Sequence, residues 1–357
     1  MKHIHLYLLL FVFQISDAQD IILPGLNGEE LLSELAREYK PATVLNYSNA
    51  REYMYENLQL QKDTIEGIYT GFKIYLPENA PSRSWTFENG INTEHIYPRS
   101  KGASDGNAFS DLHHLKPSKS NVNSSRLNHP FKEIDDDVTK KWFRKEGATF
   151  DIPTEHINEY SELDSFVTSS GFIIGDFEPR ESVKGDIARA VFYFFTMYEE
   201  EAIAADPNYF ESMREDLCRW HVQDPPNLDE MRFSELIAEV QDGKTNPFVM
   251  DCSITLRSYC ANLNLQCEER TVPTVELSEN GPILIVPNPS TGRISITSPI
   301  EIKNIDIYNY NGATVYSIDD VQDHTLHIDL NLPLGLYNLM VRDKNGKFYL
   351  SRLIIQK

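Results

Sequence analysis

The chain has 357 residues, 41% of them hydrophobic, and its 54 acidic side chains outnumber the 33 basic ones for a net charge of −21. Such a length exceeds one average domain, at about 150 residues each, and predicts two. A strongly acidic balance argues at face value against a polyanion as partner, because like charges slow encounter and weaken binding.

In chain order, Lys2 and His3 precede the apolar run Ile4 to Val12, and Ser16 and Ala18 stand at −3 and −1 of a cleavage site. Residues 1–18 therefore read as a signal peptide, since the run is far short of the roughly 20 residues of a membrane span. The mature chain is expected outside the cytoplasm. Gly28 to Tyr39 has the spacing of an amphipathic helix, with Leu31, Leu32, Leu35 and Ala36 on one side. A second helix is predicted from a Ser48 cap, placing Ala50, Met54 and Leu58 together. Thr64 to Leu76 reads as extended chain and Pro77 to Ser84 as a loop.

Asn92 to Arg126 is dense in chemical side chains: Glu94, His95, Asp111, His113, His114, Asn121, Asn123 and Arg126. It is also locally basic. From Arg83 to Arg126 six basic residues (Arg83, Arg99, Lys101, Lys116, Lys119, Arg126) face four acidic ones, whereas residues 151–216 carry sixteen acidic against four basic. Successive residues of a strand point to opposite faces, so Glu94 and His95 share a site only where the strand ends or bulges. Asp111 to Leu115 is short enough for a second strand. Pro117 and Ser118 are helix-start residues, after which Lys119, Asn123 and Arg126 fall at i, i+4 and i+7 on one face. His113 and His114 would be split between two faces of a strand, so at most one is expected near the site. Asn121 lies about 200° around the helix from Asn123 and is the weaker ligand candidate.

This set suits phosphodiester hydrolysis, which requires an activated water, a positive centre on the phosphoryl oxygens and stabilisation of the leaving oxygen. His95 is a base, Glu94 a hard oxygen ligand for Mg²⁺ or a similar cation, and an Asn carbonyl a second such ligand. A zinc protease would need a pattern such as H-E-x-x-H, which is absent.

Further along, Phe172 to Phe177 is an apolar run. Ser182 can cap a helix carrying Ile187, Val191, Phe194, Phe195 and Tyr198 as a core stripe. Further helices are predicted over Asn208 to Val222 and Phe233 to Val240. Cys218, Cys252, Cys260 and Cys267 read as structural staples, one or two disulfides with three possible full connectivities. From about Glu268 a linker leads to seven short strand candidates: Ile283 to Val286, Ile294 to Thr297, Ile302 to Tyr308, Ala313 to Ile318, Thr325 to Leu330, Gly335 to Val341 and Lys347 to Ile355. Turns such as Asn311-Gly312 and Asn345-Gly346 punctuate them, and together they predict a small β-sandwich without chemistry of its own.

Glu94-His95 with Pro98, D-L-H-H-L-x-P from Asp111 and N-V-N-S-S-R from Asn121 resemble the endonuclease I family of ββα-metal (His-Me finger) nucleases. The likeness extends from Y-S-N-A-R and I-Y-T-G to N-P-F near Asn246, covering roughly residues 45–250. It implies a secreted or periplasmic enzyme that cuts DNA, and often RNA, with little sequence preference. The resemblance carries the general base onto His95 and the ligands of the divalent ion (Mg²⁺, or Mn²⁺ or Ca²⁺) onto Glu94 and Asn123. The best-known periplasmic members carry cysteines around the E-H segment and a longer insertion between the two strands. This chain has neither, so the phosphate-binding Arg of that insertion has Arg99 and Arg126 as candidates. V-P-N-P-S-T-G at Val286, G-L-Y-N-L-M-V at Gly335 and the final L-I-I-Q-K are similar to the C-terminal sorting domains of type IX secretion, implying that machinery as a partner.

The expectation is therefore α+β: a signal peptide at 1–18, a mostly helical nuclease domain at 19–267 around a ββα-metal motif, a linker at 268–284 and a β-sandwich sorting domain at 285–357. The alternatives are a surface-displayed nucleic-acid-binding protein that keeps the fold without turnover, and a phosphodiesterase for a small substrate.

Overall fold

A computed structural model describes residues 21–58, 63–267, 283–309, 314–319, 321–344 and 347–356. The expected signal peptide, most of the linker and the two Asn-Gly turns fall outside these residues. Contacts divide the chain into two compact units, one ending at Glu268 and the other beginning at Glu269.

The first unit opens with helix α1 (Gly28–Tyr39), which buries Leu31 and Leu35 as the spacing predicts. Helix α2 (Tyr47–Asn57) follows, burying Ala50 and Met54. Its cap is Asn46, whose side chain accepts from Asn49 N, so Ser48 lies inside the first turn. The extended stretch is a hairpin of β1 (Thr64–Glu66) and β2 (Lys73–Tyr75). Helix α3 (Ser82–Glu88) begins within the segment read as a loop.

Strand β3 (Ile91–His95) pairs antiparallel with β4 (Leu115–Lys119), and the chain runs directly into helix α4 (Ser120–Arg126). Here the structure moves the boundaries. Asp111 to His114 is a cap and 3₁₀ turn, and Pro117 lies inside the strand with the helix starting three residues later. Proline fits because a two-stranded ribbon has open edges, and the Pro117 carbonyl still accepts from Ile68 N at 2.8 Å.

A four-stranded antiparallel sheet, in the order β6-β5-β7-β8, comes next: β5 (Lys141–Phe143), β6 (Ala148–Thr149), β7 (Ser161–Val167) and β8 (Ile173–Glu178). Helix α5 (Lys184–Met197) is the spine of the unit. It buries Ile187, Val191, Phe192, Tyr193 and Phe194 completely, so it is apolar on nearly every side, as a helix enclosed by others must be. Each such aromatic contributes about 1.5–3 kcal/mol relative to an exposed one. Val183 holds its cap position, with the expected Ser182 in a preceding 3₁₀ turn.

Against α5 pack α6 (Glu199–Ala205), α7 (Tyr209–Gln223) and α9 (Pro247–Met250), and α8 (Leu228–Val240) and α10 (Ser253–Arg257) pack in turn on α9. Disulfides join Cys218 to Cys260 and Cys252 to Cys267. Between those cysteines, the Arg257 guanidinium donates to the carbonyls of Ile22, Leu23 and Leu26, and Asp251 accepts from Ile22 N. The start of the unit is thereby tied to its end.

The second unit is all-β. Its strands are β9 (Leu284–Val286), β10 (Arg293–Tyr308), β11 (Thr314–Ile318), β12 (Asp323–Asp329), β13 (Gly335–Asp343) and β14 (Phe348–Ile355). They form one curled six-stranded sheet, not the seven-stranded sandwich expected. Two of the seven candidates fuse into β10, whose register with β12 shifts between Thr297 and Ile302, and an exposed Pro299 is tolerated at that irregularity. Ile294, Ile296, Ile302, Ile305, Ile307, Leu339, Val341 and Leu353 form the core. Among the described residues, no helix is long and apolar enough to cross a membrane.

Candidate active site

The β3–β4 hairpin and α4 wall a cleft of about 610 Å³ lined by Glu94, His95, Asn123 and Arg126, with Arg99 and Asn128 at another part of its wall. Glu94 and His95 are neighbours yet both reach it, because His95 is the last residue of β3 and regular pleating stops there.

Glu94 is 3% exposed and firmly held. Its Oε1 accepts from the Tyr69 hydroxyl at 2.6 Å and lies 3.2 Å from an Arg126 nitrogen. Burial pushes its carboxyl upward in pKa, opposed by the Arg126 guanidinium, the Tyr69 hydroxyl and the His95 backbone N–H. The Tyr69 phenol is pushed well up by its own burial and by the facing Glu94, so it remains a donor.

His95 sits between Phe109, stacked at 5.3 Å, and Tyr47 at 5.5 Å, with the His114 ring edge-on at 5.5 Å. Its Nε2 lies 3.0 Å from the Phe109 carbonyl. A carbonyl only accepts, so Nε2 carries the proton and Nδ1 keeps the lone pair. Burial first, then the neighbouring His114 and the Arg99 and Arg126 charges, push the imidazole down to about 3. A neutral ring with a free nitrogen results.

On α4, the Asn123 side-chain N–H donates to the Thr93 carbonyl at 3.0 Å, which fixes the amide so that its carbonyl oxygen is the atom left for another partner. Asn121 is exposed. Arg126, from the last turn, is completely buried. It donates to the carbonyls of His95 and Ile96 and to the Tyr209 hydroxyl, and it lies 4.4 Å from the Phe131 ring. Arg99 is exposed, with its guanidinium 4.9 Å over the Phe109 ring. Its turn closes at Gly102, whose φ of +125° and contact with the Glu201 carbonyl leave no room for a side chain.

The remaining sequence candidates surround the cleft without lining it. Asp111 is fully buried and accepts from the hydroxyls of Tyr193 and Tyr198, from His113 N and from Gln241. His114 Nε2 donates to the Ala108 carbonyl and His113 Nε2 to the Lys244 carbonyl, so both histidines brace the turn behind His95. Tyr69 was missed. It lies 25 residues before Glu94, and nothing in I-Y-T-G distinguishes a carboxylate-binding tyrosine from a core one.

Comparison with known proteins decides the family. Residues 28–253 match Endonuclease I, and residues 284–356 match the secretion system C-terminal sorting domain. The chain belongs to the endonuclease I family. An extracellular ribonuclease of Bacillus subtilis is 27% identical over 242 residues, 63% of this chain and 72% of that protein. An extracellular ribonuclease of Bacillus amyloliquefaciens is 27% identical over 243 residues, with the same coverage. Among solved structures, PorZ, a surface component of the type-IX secretion system of Porphyromonas gingivalis, is similar at 17% identity over 21% of this chain and 11% of its own, with a TM-score of 0.19. This endonuclease I chain is thus a secreted or cell-surface nuclease, a phosphodiester hydrolase.

Proposed function

We propose that the chain is a metal-dependent, sequence-nonspecific endonuclease that cleaves DNA and RNA to 5′-phosphate ends, with β3, β4 and α4 acting as a ββα-metal unit. One observation carries the reading: a buried carboxylate, a neutral imidazole with its lone pair on Nδ1, and an amide oxygen line one cleft.

The donor set fits a hard divalent cation. Glu94 offers a carboxylate and Asn123 a carbonyl oxygen, and Mg²⁺ is commonly held by only one or two carboxylates together with substrate phosphate and water. Once bound there, the ion would polarise the phosphoryl group and stabilise the departing 3′ oxygen. Mn²⁺ or Ca²⁺ would suit the same oxygens.

His95 takes the proton of the attacking water on Nδ1, and the Phe109 carbonyl holds the ring in that tautomer. Tyr69 and Arg126 fix one oxygen of Glu94 and leave the other to its ligand. We assign Arg126 to positioning, since its guanidinium is committed to Glu94 and two carbonyls. Arg99, exposed at the cleft, is the side chain that contacts a phosphate directly. None of these groups requires a ribose 2′-hydroxyl, which supports action on both nucleic acids. The names of the two bacillary relatives support RNA. We further assign residues 1–18 to a leader, 19–267 to the nuclease, 268–284 to a linker and 285–357 to the sorting domain that engages type IX secretion.

The test is digestion of plasmid DNA and of ribosomal RNA by the purified chain with Mg²⁺ and with chelator. Cleavage of both, ending when the ion is removed and leaving 5′-phosphates, is expected. Digestion that continues at full rate in chelator would overturn the metal assignment.

A further inference from the structure

Beside the cleft lies a second cavity, of about 410 Å³, lined by Arg51, Glu52, Ser82, Arg83, Ser84 and Phe87 among others. We propose that it is a second phosphate subsite, in which Arg51 and Arg83 hold a phosphodiester of the same strand away from the bond being cut. This rests on the reading of the cleft given above and names a further part of its substrate interface.

Continuity with the cleft is direct. Arg51 Nε donates to the Thr93 hydroxyl at 2.9 Å, and its guanidinium lies 5.5 Å from the Tyr47 ring. Thr93 and Tyr47 both line the cleft that contains Glu94 and His95. Arg51 therefore stands in the wall that the two cavities share. With Nε occupied, neither of its terminal nitrogens has a hydrogen-bond partner among the described residues. A planar fork with two open donors matches the geometry of phosphate oxygens.

Ser82, at the first turn of α3, also lines this cavity; it is 2% exposed, and its hydroxyl has no hydrogen-bond partner among the described residues.

Charge agrees with this occupant. Among the described residues, the only acidic side chain lining the cavity is Glu52, whose oxygen is 3.9 Å from Arg83 Nε with both side chains about half exposed. A pair so long and so solvated holds its members weakly, so the Arg83 fork can turn to a phosphate. Two guanidiniums against one carboxylate make this a cationic spot on a chain of net charge −21. Phe87 is 64% exposed at the same cavity and offers a face on which a base can stack, whatever its identity.

The experiment compares two substrates: a long single strand of RNA, and a dinucleoside monophosphate that holds only the scissile phosphate. The full chain and its Arg83→Ala and Arg51→Ala variants are assayed for kcat/KM between 50 and 200 mM salt. On the long strand, the salt-induced loss is expected to shrink by about threefold for each arginine removed, one phosphate contact fewer. The advantage of the long strand over the dinucleotide should shrink with it. Arg83 is exposed and outside the Thr93 contact, so its variant decides the matter if Arg51→Ala disturbs the hairpin. Unchanged salt slope and unchanged length preference in Arg83→Ala overturn the subsite. Equal losses on both substrates overturn it too, as would an altered inhibition by inorganic phosphate with no change in length preference, which would identify free phosphate as the occupant. A wild-type chain that cuts plasmid DNA but neither of these substrates would instead sink the RNA part of the reading of the cleft and leave the subsite to be judged by the same comparison on single-stranded DNA.

Discussion

The two units of the chain solve the problem of a stable interior in opposite ways. In the nuclease unit the interior holds charges: Glu94 against Arg126, Arg189 against Glu230, and Lys184 against Glu178 are all buried. In the second unit the interior is chiefly isoleucine, leucine and valine in alternation, and the buried polar residues described there are Ser290, Ser298 and Asp343. A sheet held by alternation alone needs no specific partner at any one position. A cleft that must present an unprotonated base beside a carboxylate needs each partner in place, and substitutions there should cost far more.

The largest expected break in that comparison is His95→Ala. Loss of the proposed proton acceptor should lower kcat/KM on plasmid and on RNA by about 10²–10⁴-fold, while circular dichroism still reports a folded chain. Full activity would remove His95 from its role. Next comes Arg126→Ala, which leaves Glu94 buried without its counter-charge; breaking a buried pair from one side costs about 3–5 kcal/mol, to be read from urea unfolding. A cost under 1 kcal/mol would mean that Glu94 is not held by this pair.

A smaller effect should follow pH. Burial pushes the Glu162 carboxyl up to about 8, with the Thr139 hydroxyl and Lys184 opposing and Glu178 and Asp136 adding to the shift. A group whose folded pKa is raised contributes stability below its unfolded value near 4.5 and loses it as pH rises through the folded one. Glu162→Gln should therefore match wild type at pH 5 and exceed it in Tm at pH 9, by about 2–4 °C for each kcal/mol recovered. A Tm difference that is the same at both pH values would discard this account. Smallest of all is removal of residues 285–357. The shortened chain keeps Cys267 and both disulfides, and its kcat/KM on plasmid should stay at the wild-type value; a collapse of activity would show that the units are not independent.

Much of this was legible in the sequence because local rules act there. Helix α1 was readable to the residue from the spacing of Leu31 and Leu35, and the cysteines could be read as staples though not paired. The stretch from Asn92 to Arg126 stood out by its density of chemical side chains, and the family resemblance singled out Glu94, His95 and Asn123 within it. What escaped was decided by distant partners. Pro117 reads as a helix start, yet it is a strand residue paired with Thr93, and Ile68, nearly fifty positions earlier, bonds to its carbonyl. Tyr69 and the Phe109 carbonyl, which fix Glu94 and His95, carry no local signal at all. The merging of two strands into β10 turned on an irregularity that a proline disguised as a turn.

The clasp between Arg257 and the carbonyls of Ile22, Leu23 and Leu26 joins residues more than 230 positions apart. A ribosome must therefore release almost the entire nuclease unit before its first segment can find its seat, and no shorter nascent chain can close the ring. Closure of the nuclease unit therefore waits until its last helix, α10, has emerged, so the first segment synthesised is among the last to be seated.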